Sequence, residues 1–149
     1  MVTPKTLTDM AALLNSDGIN YSVSLRVYSG LPESTDHINS IVNGLIGHEA
    51  VLNGVRGVDV TEVVETLLQS LGYVGDEGAG PGPNVLRSAD FSRLLGNIRD
   101  SVVQLNQTVY GIKSFEFAEG HPDYPMLWDF AYLFLGSDQH VLLVGSSSD

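Results

Sequence analysis

Apolar positions along this chain change period several times, and each change marks an element. Leu7, Met10, Ala11 and Leu14 fall three and four residues apart, which is one face of a helix. Thr3 stands ready to cap it, and Pro4 suits the first helical position, where a missing N–H costs nothing. Asn15-Ser16-Asp17-Gly18 ends the run. The period then becomes two: Tyr21, Val23, Leu25 and Val27 alternate with Ser22, Ser24, Arg26 and Tyr28, as in a strand with one buried face.

Helical spacing returns at Ile38, Ile41, Val42 and Leu45, with Thr35 or Asp36 as the expected cap and Gly44 and Gly47 blurring the end. A third helix is the most clearly signalled. Asp59 caps it, Glu62 takes the capping-box position, Val60, Val63, Val64, Leu67, Leu68 and Leu71 form its stripe, and Gly72 is expected to close it in the left-handed conformation. Residues 75–84, GDEGAGPGPN, read as a flexible Gly/Pro-rich loop without regular structure. Ser88 caps a fourth helix whose Phe91, Leu94, Leu95, Ile98, Val102 and Leu105 face inward.

The last third is β. Val109 to Ala118 is a strand, and Gly120 to Pro125 is a turn because its two prolines suit neither helix nor central strand. Either X–Pro bond of this turn is a candidate for the cis form. Leu127 to Leu135 is apolar on both faces, as a central strand requires, and His140 to Val144 pairs beside it. Ser146-Ser147-Ser148 reads as a polar tail. Helices followed by a run of strands, in the order α-β-α-α-α-β-β-β, indicate an α+β fold. The expectation is one two-layer domain over 1–149, with an about four-stranded, mainly antiparallel sheet packed on one face by about four helices.

Charge narrows the partners. Eighteen carboxylates against seven Lys and Arg leave a formal net charge of −11. That field repels phosphate backbones and anionic lipid, so nucleic acid and membrane are not expected partners, whereas a basic protein is. The absence of cysteine excludes disulfides, a thiolate nucleophile and Cys-based zinc sites. The start of the chain lacks the pattern of a signal peptide, so a cytoplasmic location is expected.

Little in the chain carries chemistry. The Gly-rich loop is a poor phosphate cradle, since Pro81 and Pro83 remove donors and a helix precedes it. His121, with Asp123 two residues on, is the one acid/base or metal candidate, and no second histidine stands at a ligand spacing from it. Asp129 interrupts the most apolar strand and must be paired, with Arg26, Lys113 or the Trp and Tyr hydrogen-bond donors as partners, or turned to water.

The reading is of a small acidic protein-binding protein of inhibitor, antitoxin or immunity type that masks a basic partner. Expected contacts are Tyr73, Asp76 and Glu77 beside the Gly/Pro loop, and Glu116, Glu119, Asp123 and Tyr124 beside the proline turn. No cofactor is expected. The alternatives are an enzyme or metal-binding domain built on His121 and nearby carboxylates, and a self-associating structural or accessory subunit, a homo-oligomer in contact through an exposed strand face.

Overall fold

In the computed structural model, which describes residues 3–35, 37–76 and 78–149, ten elements follow one another. They are α1 (Pro4–Asn15), β1 (Ser22–Gly30), α2 (Ile38–Ile46), β2 (Val51–Val58), α3 (Val60–Leu71), α4 (Pro83–Leu86), α5 (Ala89–Asn106), β3 (Val109–Glu119), β4 (Trp128–Gly136) and β5 (His140–Ser148). The fold is α+β, and its strands form one antiparallel sheet in the order β1-β5-β4-β3-β2. β4 has neighbours on both sides, as its two-faced hydrophobicity requires.

The alternation along β4 and β5 builds two cores rather than one. Phe130, Tyr132 and Phe134 of β4 and Val141 and Leu143 of β5 face α1, α3 and α5, whose Leu7, Met10, Leu14, Val63, Leu67, Ile98 and Val102 complete that layer. Ala131, Leu133 and Leu135, with Leu142 and Val144, face the other way and meet Ile41 and Val42 of α2. Each such side chain removed from water contributes roughly 1.5–3 kcal/mol. Helices therefore cover both faces, not one. The cause is the second face itself, since the apolar stripes of β4 and β5 each present a row away from the three-helix layer.

Several helix ends are as expected. Thr3 accepts from the N–H of Thr6, Asp59 from Glu62 and Ser88 from Phe91. Only half of the capping box forms, because the Glu62 carboxylate turns to Arg56 at 2.7 and 3.1 Å. Other details differ. The N-cap position of α2 is His37 without a side-chain bond, while Thr35 Oγ1 accepts from the His37 N–H, and Asp36 lies outside the described residues. Gly47, with φ +81°, is the left-handed cap of α2, whereas Gly72 ends α3 at φ −90°. Neither proline bond of the turn is cis.

The fifth strand, β2, carries Gly54 and Gly57 and is mostly exposed, so it shows no clean alternation to read. Ser146 and Ser147, taken from sequence as a tail, are buried within β5, where they pair with both Ser24 and Val23 of β1 and with Asp129 and Trp128 of β4. The Gly/Pro loop also contains regular structure. Gly80 bridges Ile19 through two backbone bonds of 2.9 and 3.0 Å, and α4 begins at Pro83. Among the described residues no helix is long and apolar enough to cross a membrane.

Candidate functional site

The turn between β3 and β4 is anchored from distant parts of the chain. Gly120 enters it at φ +82°, with Glu49 O and Ala50 so close that a Cβ would stand 2.7 Å from the former. His48, after α2, donates from Nε2 to Gly120 O at 2.7 Å, a bond that fixes its tautomer as the Nε2–H form. Further on, β1 reaches in with alternate side chains. Arg26 grips Asp123 with two donors, Nε to Oδ2 at 2.8 Å and Nη2 to Oδ1 at 2.9 Å, and Ser24 Oγ donates to Oδ2 at 2.8 Å. Strand period two is what puts Ser24, Arg26 and Tyr28 on one face to do this. Leaving the turn, the N–H groups of Met126 and Leu127 both reach Ser147 O.

His121 closes the turn on itself. Its Nδ1 accepts the N–H of Asp123 at 2.8 Å, as an asparagine oxygen does in an Asx turn. The ring stands edge-on to Phe117 with centroids 5.0 Å apart, which links it to the α2-side core. Nε2 is buried and has no partner among the described residues.

The electrostatics follow from these contacts. The Arg26 guanidinium, assisted by Ser24, holds the Asp123 carboxyl below the ordinary carboxylate value despite partial burial. Burial pushes His121 below its ordinary value, against the pull of Asp123 and Asp129, so the imidazole is neutral at pH 7. Burial also raises the Tyr28 hydroxyl, with the Arg26 charge opposing it.

His121 and Asp123 are thus brought together, but not as an acid/base pair. The carboxylate is spent on Arg26 and Ser24, and what meets the imidazole is the Asp123 backbone. Among the described residues no group of three or more His, Cys, Asp or Glu could hold a metal ion. Arg26 serves Asp123, not Asp129, which is exposed on β4.

What the anchored turn presents is Tyr124, 86% exposed, with Met126, 65% exposed, beside it. Glu119, at the end of β3, and Asp129 are exposed as well. Glu116 is exposed too, but alternation with Phe115 and Phe117 sends it to the opposite side of the sheet.

The second group of expected contacts divides. Tyr73 stacks on Tyr21 at 5.8 Å and packs against the three-helix core. Asp76 is exposed, with Oδ1 accepting from Gly78 and Ala79, and Glu77 lies outside the described residues. Nearby is an open groove of about 950 Å³ lined by Asp17, Ile19, Val74, Pro81, Leu86 and Arg87 among others. Of the backbone N–H groups in this loop, Asp76 takes those of Gly78 and Ala79, and Ile19 takes that of Gly80.

Sequence reasoning missed Ser24, Arg26 and His48 as parts of the site. The only local signal was a lone arginine in a strand of serines and apolar residues. With this geometry in hand, comparison with protein-family models, curated proteins and solved structures gave no match.

Proposed function

We propose that this chain is a protein-binding protein, of inhibitor, antitoxin or immunity type, whose docking element is the turn at 120–126 and whose partner is basic. The observation that carries the reading is an exposed Tyr124 on a loop held at Gly120 by His48 and at Asp123 by Arg26 and Ser24, with His121 accepting the Asp123 N–H. A tyrosine supplies contact area at small entropic cost, and a loop already fixed loses little further freedom when it docks. Glu119 and Asp129, exposed on the two strands that flank the turn, add negative charge on either side of it in sequence. Most basic side chains of the protein are engaged internally, as Lys5–Asp9, Arg26–Asp123, Arg56–Glu62, Arg93–Asp90 and Arg99–Asp100, so the excess carboxylates set the external field. Such a field raises association rates with a cationic surface.

The test uses the immobilised full chain and an extract of the organism that makes it, with the retained protein identified and its binding then measured directly. A basic protein held by the parent and lost with Tyr124→Ala, at unchanged melting temperature, is the expected result. Retention unaffected by Tyr124→Ala, or a complex indifferent to salt, overturns the proposal.

A further inference from the structure

The outer strand β1 is an open edge, and we propose that it pairs antiparallel with β1 of a second copy of this chain, making one continuous sheet across a two-fold axis. This inference stands apart from the docking turn.

The direction of the edge groups follows from one residue. Val23 gives its N–H to Asn15 Oδ1 at 2.7 Å, and its C=O accepts from Asn15 Nδ2 at 3.2 Å. Both groups therefore point away from β5. The β1–β5 register runs unbroken from Ser22↔Ser148 to Gly30↔His140. In an antiparallel ladder, residues alternate between facing their neighbour and facing away. Leu25, Val27 and Ser29 thus also aim N–H and C=O outward, and these groups have no partner among the described residues.

The other edge of the sheet is closed. β2 shifts register between Val51 and Leu52 and between Asn53 and Arg56, and Gly54 turns at φ +63°. Asn39 occupies the N–H of Leu52 and the C=O of Ala50, and Asn43 the N–H of Ala50. Bulges and polar caps are how sheets discourage strand addition. β1 has no bulge and no proline, and Asn15 closes only its first outward residue.

Charge selects a second copy as the occupant. No Asp or Glu lies between Asp17 and Glu33, although the chain holds eighteen. The one cation of the strand, Arg26, is already matched by Asp123. A basic partner gains little from such an edge, whereas a copy carrying the same −11 meets no carboxylate of the strand itself, and Asp123 beside it is balanced by Arg26. The strand is also self-complementary. With the axis at Val27, Val27 faces its own equivalent, Leu25 faces Ser29, and Arg26 faces Tyr28 of the other copy twice over. Arginine against an aromatic ring is a favourable cross-strand pair. The same patch on both copies is what a two-fold interface requires.

The experiment measures the mass of the full chain by sedimentation equilibrium over a range of concentration and salt. The expected species has twice the 16.0 kDa of the chain, and it is favoured by salt, which screens repulsion between like-charged copies. Val27→Pro deletes an outward N–H and no bond to β5, so a folded monomer is expected. Should proline distort the strand, Val27→Cys gives an independent reading in this cysteine-free chain. Paired Cα atoms across the axis would lie within the about 4.4–6.8 Å that a disulfide spans. Oxidation should then link Val27→Cys into dimers and leave Val55→Cys, on β2, monomeric. A parent that stays monomeric throughout overturns the proposal, including the case where a strand of a different protein takes the edge. So does Val27→Cys giving no more linked dimer than Val55→Cys.

Discussion

His121 shows how a residue that looks catalytic in sequence acquires another task in the fold. Its Nδ1 holds the Asp123 N–H, and protonation of that nitrogen destroys the acceptor. Because burial sets the folded pKa below the ordinary 6.5, the unfolded chain takes up a proton first as pH falls. The stability that His121 contributes is therefore whole above about 6.5 and declines as pH drops below it, down to the folded value. Urea titrations between pH 7.5 and 5 should show the midpoint falling for the parent. His121→Asn, whose oxygen can take the same N–H without titrating, should flatten the dependence over that window. Asp123 has the same sign in a lower window. The stability it contributes is whole above the ordinary carboxylate value and declines from there down to the lower folded value, where the bond to Arg26 is lost. The turn itself was legible in the sequence from its two prolines; its anchors were not, because Arg26 and Ser24 stand almost a hundred positions away.

At the scale of elements, α3 was readable because its cap and its apolar period agreed, although Leu68 of the expected stripe is exposed and Gly72 is not left-handed. Asp59 bonds the Glu62 N–H at 2.9 Å, and Val63, Leu67 and Leu71 are buried. Asp59→Ala should cost about 1 kcal/mol, and Leu67→Ala about 2–5 kcal/mol through the cavity it leaves. Chemical denaturation checks both, and a Leu67→Ala protein as stable as the parent would mean that the assigned face is wrong. β2 was unreadable for the opposite reason. Two glycines, two register shifts and an exposed edge leave no period to detect. The Gly/Pro loop looked uniform in sequence, yet its glycines differ. The amides of Gly80 and Ile19, bonded to each other's carbonyls, should exchange more slowly in hydrogen-exchange measurements than the amide of Gly75. Equal exchange at all three positions would show that the bridge does not persist in solution.

For the whole molecule, composition gave the sign of the field but not the disposition of the charges. Glu119 and Asp129 flank the turn in sequence, Glu116 faces away from it, and β1 carries none. Two associations with opposite responses to salt follow. The proposed capture of a basic partner should weaken as salt rises, while the proposed pairing of β1 edges should strengthen. Reversing Glu119 and Asp129 together to lysine should slow association with the partner more than it hastens release, since rim charges act by steering. Sedimentation of the same variant should show the self-association undiminished. Asp123 is no choice for such a reversal, because a lysine there would repel Arg26 and release the turn.

The pairing of β1 with β5 bears on how the chain comes to fold at all. A ribosome delivers Ser22–Gly30 well before the strand that receives it, His140–Ser148. Until then β1 waits with both rims bare, and the three-helix layer has only part of its floor. Native pairings this distant along the chain belong to the slow end of folding rates. Nascent copies on neighbouring ribosomes are thus exposed to one another longest at the segment that carries no carboxylate to keep them apart.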